Sequence, residues 1–403
     1  MQYLIIGGGP AGLSAAATLR RIDEKSQVTI LAKEKYPPYA KIALPYLLTG
    51  AVEEKLLFLP MPSGVNIVFG DGASEVNPKK REARTASGRK ILYDKLLIAT
   101  GAAPVRPDIE GGDLPFVFTI RDIPDAKAVE GLLKARRTGH CMVAGAGPVG
   151  LELSDAFHKL GFTITLVISS NRVFSTMLDA EASALLEKRL AEKSIEVRKN
   201  TDIVKIHPSG EVFLSSGETR VCDVVVFGKG VAPSAGFLAG SGISVRQGIP
   251  VDGRQETNIP GIYAAGDVAE TRDIVYEDSR VNALWPVAFE QGKVAAHNMA
   301  SHPVVYEGSF SRNILRVFDT SILTAGMGRA DVPEVRCDTG PDYYHKLVMD
   351  HGILKGFIFV GESRNAGLYS DLLRRRIQID SCADSLLHGS YSYAQFLRRN
   401  TKQ

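Results

Sequence analysis

Residues 3–22 read YLIIGGGPAGLSAAATLRRI, and this stretch decides the fold of the first part of the chain. A short β-rich run, LII, leads into a G-x-G-x-x-G spacing, and a helical apolar pattern follows before the strand-like VTIL at 28–31. The first glycine of such a pattern permits a tight turn, the second lets the backbone approach a pyrophosphate, and the third lets helix and strand pack closely. The helix N-terminus then offers free N–H groups to phosphates. The pattern predicts a dinucleotide-binding β-α-β unit whose glycines are Gly7, Gly9 and Gly12.

A second glycine loop stands in residues 140–157, HCMVAGAGPVGLELSDAF, and it has the same frame. An apolar strand precedes it, a helical pattern follows, and the strand-like TITLV comes next. One such loop is weak evidence, because glycine-rich turns are common. Two loops, each between a strand and a helix, favour two Rossmann-like domains over one mononucleotide fold with a chance repeat. The glycines of this second loop are Gly145, Gly147 and Gly150.

Length and composition exclude several classes of protein. The 403 residues suggest two or three domains, and 44% apolar with 23% charged residues is an ordinary globular composition. The net charge of +3 argues against a dedicated nucleic-acid binder. No apolar run is long enough to span a membrane, and the apolar N-terminus lacks the basic region of a secretory signal. The four cysteines have no metal-ligand spacing, so we expect no metal site, reduced thiols and a cytoplasmic protein.

Three further segments identify a family. They are LLIATGAAPVRP (96–107), IPGIYAAGDV (259–268) and the proline-started NALWPVAFEQGKVAAHNM (282–299). In this order, and together with the two glycine loops, they resemble the pyridine nucleotide-disulfide oxidoreductase superfamily of FAD flavoproteins. The resemblance covers essentially the whole chain, and the combination of motifs is highly specific.

The resemblance implies an α/β fold with two Rossmann-like domains, one for FAD and one for NAD(P)H, followed by a C-terminal α+β domain. The FAD domain is expected in two parts, and the NAD(P)H domain is inserted between them. The C-terminal domain is expected to pack against the flavin or a dimer partner. The expected boundaries are 1–110 and 240–306 for FAD, 111–239 for NAD(P)H and 307–403 for the C-terminal interface domain.

The resemblance also implies roles for the residues that match the family's motifs. An acid should follow the first loop by about twenty residues to bind a ribose hydroxyl, and Glu34, beside Lys33, is the candidate. Asp267 is expected to bond the flavin ribityl chain, and a helix beginning at Val287 to point its positive end at the flavin pyrimidine. Gln291 and Gly292 are expected to face the same way, with plain helix surface and packing as the alternative. The FAD residues are Gly7, Gly9, Pro10, Ala11, Gly12, Glu34, Lys41, Thr100, Gly101, Asp267, Pro286 and Val287. The NAD(P)H residues are Gly145, Gly147, Pro148, Val149, Gly150, Glu152, Ser169, Arg172 and Gly230.

The turn YPPYAKIALPY (36–46) indicates the branch of the family. The coenzyme A disulfide reductase and NADH oxidase branch carries a redox cysteine in this pattern, and Ile42 stands in its place. An isoleucine forms no thiolate or mixed disulfide. The chain is more similar to the cysteine-free NADH:rubredoxin reductases, oxygenase-type ferredoxin reductases and N-terminal part of assimilatory nitrite reductases. In the ferredoxin reductases a lysine aligned with Tyr46 pairs with a glutamate matching Glu152, so the role of Glu152 near the flavin stays open.

The expected function is therefore an FAD-dependent NAD(P)H:acceptor oxidoreductase, homodimeric, in which hydride passes to FAD and electrons leave to an external acceptor. That acceptor is a rubredoxin, a ferredoxin or a partner redox subunit, and no side chain is assigned as an acid–base catalyst. Two alternatives stay open: an NAD(P)H oxidase or diaphorase, and an electron-transfer subunit whose nicotinamide site is vestigial. The choice of nucleotide also stays open. Ile168 stands where an NADH-reading acid is expected, which favours NADPH slightly, with Arg172 contacting either a 2′-phosphate or the adenine.

Overall fold

The computed structural model describes residues 1–135, 138–330, 334–361, 366–392, 394, 395 and 398. The chain divides into two compact units. Unit 1 comprises Met1–Lys41, Glu53–Ala103 and Val231–Ser311, and unit 2 comprises Ile42–Val52, Pro104–Gly230 and Arg312–Gln403. The chain thus leaves unit 1 inside the YPPYAKIALPY turn, between Lys41 and Ile42, and returns at Glu53.

Unit 1 is built on a five-stranded parallel sheet. Its strands follow one another in space as Ile262–Ala264, Lys95–Ile98, Gln2–Ile6, Gln27–Ala32 and Asn66–Phe69. The central strand is a continuous apolar run because both faces of a parallel sheet are covered, and Leu4 and Ile5 are almost completely buried. Helices Pro10–Ile22 and Trp285–Met299 pack against each other on one face.

Two small three-stranded sheets also belong to unit 1, the first antiparallel and the second mixed. The first is the meander Ala73–Asn77, Glu82–Thr85 and Lys90–Leu92, whose buried Val76 and Ala83 join the core on the other face of the parallel sheet. The second contains Ile249–Pro250, Ala269–Arg272 and Ser279–Arg280. Short 3-10 turns occur at Glu54–Leu56, Pro78–Lys80 and Gly236–Leu238.

Unit 2 contains a second five-stranded parallel sheet. Its strands follow one another as Glu196–Arg198, Thr163–Val167, His140–Ala144, Val224–Phe227 and Val117–Phe118. Three long helices belong to this part of the chain, and a β-meander covers the sheet through apolar contacts. The helices are Ile123–Ala135, Pro148–Lys159 and Ala180–Glu192, and the meander strands are Ile203–Ile206, Glu211–Leu214 and Thr219–Val221.

The C-terminal part of unit 2 is an antiparallel sheet with helices, as the sequence predicts. Its strands follow one another as Arg312–Val317, Thr320–Gly326, Ile353–Val360, Tyr344–Asp350 and Glu334–Thr339. Helices Ala366–Arg375 and Ala383–Leu387 follow, with the 3-10 turn Asp380–Cys382 between them. Two parallel β-α-β sheets and this domain confirm the expected α/β class with a C-terminal α+β part. The domain boundaries named above stay a prediction.

The middle of the YPPYAKIALPY turn forms the short helix that its sequence predicts. A 3-10 turn, Lys41–Ala43, continues into the helix Leu44–Leu48. Leu44 and Leu48 are buried, whereas the Ile42 and Tyr46 side chains are exposed within the described chain. None of the helices that the structure describes combines the length and apolar character needed to cross a membrane.

Candidate functional site

The first glycine loop shows why each glycine is needed. Gly7 adopts φ +117°, and its N–H donates to the Leu31 carbonyl at 2.8 Å, which joins the loop to the neighbouring strand. A Cβ on Gly12 would lie 2.0 Å from the Gly7 oxygen, so only glycine allows this helix to start so close to the strand. A Cβ on Gly9 would meet nothing within 4 Å. Gly9 thus borders open space at the start of the helix Pro10–Ile22.

The second loop repeats this geometry in unit 2. Gly145 adopts φ +110° and donates to the Val167 carbonyl at 2.8 Å. A Cβ on Gly150 would lie 2.0 Å from the Gly145 oxygen, while a Cβ on Gly147 would meet nothing within 4 Å. Pro148 occupies the first turn of the next helix, where its missing N–H costs no hydrogen bond.

Both loops fit a dinucleotide pyrophosphate. Each places an open glycine position directly before a helix N-terminus, where free N–H groups and the helix dipole favour an anion. No acidic side chain occupies the first turn of either helix. The residues present therefore suit a dinucleotide at each loop, and the assignment of FAD to the first and NAD(P)H to the second stays a prediction.

Glu34, the expected ribose acid, is held by two side chains from the YPPYAK turn. One oxygen accepts from the Lys41 ammonium at 2.5 Å, and the other accepts from the Tyr39 hydroxyl at 2.5 Å. Tyr39 is buried, and its ring packs edge-on against Phe58. Each carboxylate oxygen keeps a further lone pair with which to accept a ribose hydroxyl. The sequence pattern missed Tyr39 as a partner of Glu34, because a tyrosine after a proline pair has no special spacing signal.

Thr100 and Gly101 form hydrogen bonds with the segment in which the chain re-enters unit 1 after Gly230. The Thr100 hydroxyl donates to the Ser234 carbonyl at 2.8 Å, and the Ser234 N–H donates to the Gly101 carbonyl at 2.9 Å. Gly101 has φ +66°, and a Cβ there would meet nothing within 4 Å. The pair joins the end of strand Lys95–Ile98 to the return segment.

The helix that was expected to begin at Val287 begins two residues earlier, and two of its residues make contacts within unit 1. It spans Trp285–Met299, with Pro286 in its first turn. Gln291 is buried: its Oε1 accepts from the Gly266 N–H at 2.7 Å, and its Nε2 donates to Thr271. Gly292 is a packing residue, since a Cβ there would lie 2.2 Å from the Ala11 carbonyl oxygen. These contacts give both residues a packing role inside unit 1, and their expected place beside the flavin stays a prediction.

Gln291 fixes the turn that carries Asp267. Gly266 has φ +82°, and Asp267 follows it at the end of strand Ile262–Ala264. Because the C-terminal ends of parallel strands form the ligand side of an open α/β sheet, Asp267 lies on that side. Its assigned contact with the ribityl chain stays a prediction.

No cysteine replaces the sulfur that Ile42 lacks. Cys141, Cys222 and Cys382 are buried, and only Cys337 is exposed. Burial raises the pKa of the Cys222 thiol to about 12 and the pKa of Cys141 well above its ordinary value. Such thiols remain protonated at neutral pH and are poor nucleophiles.

Glu152 has an unusual environment in the first half of helix Pro148–Lys159. Burial, with a smaller contribution from the Asp155 charge, raises the pKa of Glu152 to about 7. Asp155 is engaged by Lys159 at 2.7 Å and by the Phe318 N–H at 3.1 Å. Glu152 therefore changes its protonation state close to neutral pH.

The loop after strand Thr163–Val167 holds the residues expected to bind the adenosine part of NAD(P)H. Ser169 is exposed, and the Nε of Arg172 is buried without a hydrogen-bond partner among the described residues. Both oxygens of the nearby Glu187 are engaged, one by the Val173 N–H at 3.0 Å and the other by Lys199 at 2.5 Å. An unpartnered buried guanidinium nitrogen fits a residue that awaits a polar ligand.

Phe174, in the same loop, has a strained backbone. It adopts φ +56° although it is a bulky aromatic residue with 1% exposure. Its carbonyl accepts from both Met177 and Leu178 at 2.9 Å. A left-handed conformation costs a non-glycine residue about 1–2 kcal/mol. No sequence signal predicts a left-handed conformation at a bulky aromatic residue.

Gly230, expected beside the nicotinamide, ends the crossing out of unit 2. It has φ +87°, its carbonyl accepts from the Val105 N–H at 2.9 Å, and a Cβ there would meet nothing within 4 Å. The preceding Lys229 forms an ion pair with Asp202. The sequence pattern missed this pair, since Lys229 and Asp202 lie on different strand ends.

Comparisons with known proteins agree with this geometry. A family model described as pyridine nucleotide-disulphide oxidoreductase matches residues 1–292. The NADH-dependent phenylglyoxylate dehydrogenase subunit epsilon of Aromatoleum evansii is 29% identical over 398 residues, which cover 94% of this chain and 92% of that protein. An NADH oxidase of Methanocaldococcus jannaschii is 27% identical over 341 residues, covering 81% and 76%.

A solved structure shows the same fold over its full length. The NADH:rubredoxin oxidoreductase of Clostridium acetobutylicum superposes with a TM-score of 0.79 and covers 99% of both chains at 23% identity. The expected superfamily and the expected cofactors, FAD and NAD(P)H, are thereby confirmed. The individual site residues stay predictions.

Proposed function

The chain belongs to the pyridine nucleotide-disulphide oxidoreductase family, and we propose that it carries electrons from NAD(P)H through FAD to a separate redox protein or partner subunit. One observation carries the proposal: Ile42 occupies the redox position of the turn, and three of the four cysteines are buried. Without a reactive thiol, a route through disulfides or persulfides at this position is closed. FAD, when bound, exchanges a hydride with nicotinamide and single electrons with metal centres.

The chain's own residues bind and orient in this proposal. Gly9 and Gly147 leave room for the two pyrophosphates, and the helices behind them supply N–H groups. Glu34, held by Tyr39 and Lys41, receives the ribose of FAD. Arg172 receives the adenosine end of the nicotinamide nucleotide, through a 2′-phosphate or the adenine. No side chain is needed as an acid–base catalyst.

The relative from Aromatoleum evansii favours a partner subunit as the acceptor. That protein is named as a subunit of an NADH-dependent dehydrogenase, and it matches this chain over nearly the full length of both. A chain that works inside an assembly does not need its own second redox centre. We therefore place the acceptor on another polypeptide, with a homodimer as the form of the free protein.

The test combines alkylation with electron transfer. FAD-loaded protein is treated with N-ethylmaleimide under anaerobic conditions, and NAD(P)H-dependent reduction of ferricyanide is followed. We expect labelling at the exposed Cys337 and an unchanged rate, since the thiol lies in strand Glu334–Thr339 of the C-terminal sheet. The Cys337→Ser variant is the matched control, and it should show neither labelling nor loss of rate. A rate that falls on labelling of wild type would contradict the thiol-free route.

A second measurement distinguishes electron transfer to a separate redox protein from direct oxidation of the flavin by oxygen. A relative named as an NADH oxidase favours an oxidase as the alternative function. We expect oxygen to reoxidise the reduced flavoprotein far more slowly than ferricyanide does. Oxygen consumption that matches the ferricyanide rate would instead establish the oxidase. Failure of both nucleotides to reduce the flavin, where dithionite succeeds, would establish a subunit with a vestigial nicotinamide site.

A further inference from the structure

The loop 168–179 links strand Thr163–Val167 to helix Ala180–Glu192 and contains the residues assigned to the adenosine part of NAD(P)H. Its middle is the strained Phe174. A strained conformation persists only where surrounding contacts determine it. After Phe174, side chains from the C-terminal part of the chain contact the rest of this loop.

Asp179 is the first of these anchors. Its Oδ1 caps the following helix by accepting from the Ala182 N–H at 3.1 Å. Its Oδ2 accepts from the Tyr344 hydroxyl at 2.8 Å and from the Lys346 ammonium at 3.0 Å. The Lys346 side chain is only 3% exposed and that of Asp179 only 13%, so this ion pair is withdrawn from water. A buried pair of this kind is costly to break on one side.

Two further contacts reach the same loop. The Arg329 guanidinium donates to the Ser175 carbonyl at 2.8 Å, and the Asn313 amide lies 3.3 Å from the Met177 sulfur as a donor. Ser175 directly follows the strained Phe174, and Met177 lies three residues beyond it. Four side chains of the C-terminal part thus contact three positions of one loop that belongs to the nicotinamide sheet.

We propose that the C-terminal domain helps to form the nicotinamide nucleotide site. Lys346 and Tyr344, acting through Asp179, are positioning residues that hold loop 168–179 in the conformation that accepts the adenosine part of NAD(P)H. The domain then has a role beyond covering the flavin or a dimer partner. The loop is organised before the nucleotide arrives, so the nucleotide does not have to order it on binding.

The proposal rests on the assignment of the second glycine loop to NAD(P)H. It can be distinguished from a general role in domain packing, because another ion pair joins the same two parts of the chain without contacting the loop. Lys193, at the end of helix Ala180–Glu192, pairs with Asp319 at 2.8 Å, and both side chains are well exposed. This pair supplies a matched control that also removes one lysine at the junction.

The experiment uses the FAD-loaded full-length protein. Anaerobic stopped-flow experiments follow reduction of the flavin by NADH and NADPH in wild type and in three variants, Lys346→Met, Tyr344→Phe and Lys193→Met. The dependence on nucleotide concentration separates the dissociation constant from the limiting rate of flavin reduction. We expect the dissociation constant to rise about tenfold in Lys346→Met and about threefold in Tyr344→Phe, with limiting rate and FAD content preserved. Lys193→Met should match wild type.

Hydrogen exchange supplies a structural readout. Amides 169–179 should exchange faster in Lys346→Met but not in Lys193→Met, because only the former loses the anchor. Faster loop exchange with an unchanged dissociation constant would overturn the proposal, as would equal effects in all three variants. If Lys346→Met does not fold, the milder Tyr344→Phe decides alone. Gly147→Val tests separately whether the second glycine loop binds NAD(P)H. If that variant binds the nucleotide normally, the second loop is not the NAD(P)H site.

Discussion

The Oε1 atom of Gln291 accepts a 2.7 Å hydrogen bond from the backbone N–H of Gly266, 25 residues earlier in the chain. Both residues belong to unit 1, and Gln291 is almost completely buried. The bond fixes the turn that presents Asp267 at the end of its strand. A helix side chain thus controls a backbone position next to the expected flavin site.

Replacing Gln291 should therefore weaken FAD retention. In Gln291→Leu the buried Gly266 N–H loses its acceptor, which costs about 1–3 kcal/mol. We expect a lower melting temperature and a higher dissociation constant for FAD, measured by reconstitution of the apoprotein. Thr271→Val is the control, because it removes only the hydroxyl that accepts from the Gln291 Nε2 and leaves the bond to Gly266 in place. Equal FAD affinity in wild type and Gln291→Leu would show that the turn needs no such support.

The two open glycines should separate the two cofactors. Gly9→Val fills the space at the first loop, so we expect a colourless protein that takes up little FAD. Gly147→Val should keep FAD, seen as the yellow absorbance, but fail to be reduced by NAD(P)H while dithionite still reduces it. Gly150→Ala serves as the contrast, because its Cβ would lie 2.0 Å from a backbone oxygen and should impair folding itself. A Gly147→Val protein reduced at the wild-type rate would refute the assignment of the second loop.

Tyr39 should contribute to FAD affinity through Glu34. Tyr39→Phe removes the hydroxyl that donates to one Glu34 oxygen, so the carboxylate loses its fixed orientation. We expect the dissociation constant for FAD to rise several-fold, and this effect to vanish in a Glu34→Ala background. Tyr3→Phe is the matched control, since it breaks a similar phenol–carboxylate bond, to Asp23 at 2.8 Å. An effect of Tyr39→Phe that persists without Glu34 would point to packing instead.

Glu152 should make stability depend on pH. Its pKa is 4.5 in an unfolded chain and about 7 in the fold, so the folded protein binds this proton more tightly. The resulting stabilisation is complete below pH 4.5 and is lost as the pH rises through 7. The loss amounts to about 3 kcal/mol at most. Glu152→Gln carries no charge, so its melting temperature relative to wild type should rise across that window and then level off. A difference that is constant with pH would contradict the buried environment of this carboxyl.

Ile42→Cys should restore a reactive thiol. Ile42 is 64% exposed within the chain, so a cysteine there is accessible to alkylating reagents. Leu44, two residues on, is only 2% exposed, and Leu44→Cys should react slowly. If the turn lies against the flavin, a thiolate at position 42 should add a charge-transfer band on reduction, and alkylation should then slow electron transfer. A fast-reacting thiol with no spectral effect would place the turn away from the flavin.

The sequence predicts those features that a short segment determines alone. The two glycine loops depend on spacings of a few residues between a strand and a helix, so they were correctly predicted, as was the helix after Lys41. The burial of Glu152 and the left-handed backbone of Phe174 have no signal in the local sequence. The contact between Lys346 and Asp179 joins residues 167 positions apart, and no local pattern encodes such a pairing. The hydrogen bond of Gln291 has no signal in the helix sequence, because its partner, Gly266, lies on another element.

The interleaved path of the chain sets the order in which its halves can assemble during synthesis. The parallel sheet of unit 2 is complete once Val224–Phe227 has emerged, whereas that of unit 1 waits for Ile262–Ala264 and for helix Trp285–Met299. At about 5–20 residues per second, the first glycine loop leaves the ribosome many seconds before its own core can close. Within the sheet of unit 1, strand Lys95–Ile98 thus waits longest for its second neighbour, and the face that helix Trp285–Met299 covers stays uncovered until then. We expect this region, rather than the later nicotinamide half, to be the part that chaperones protect.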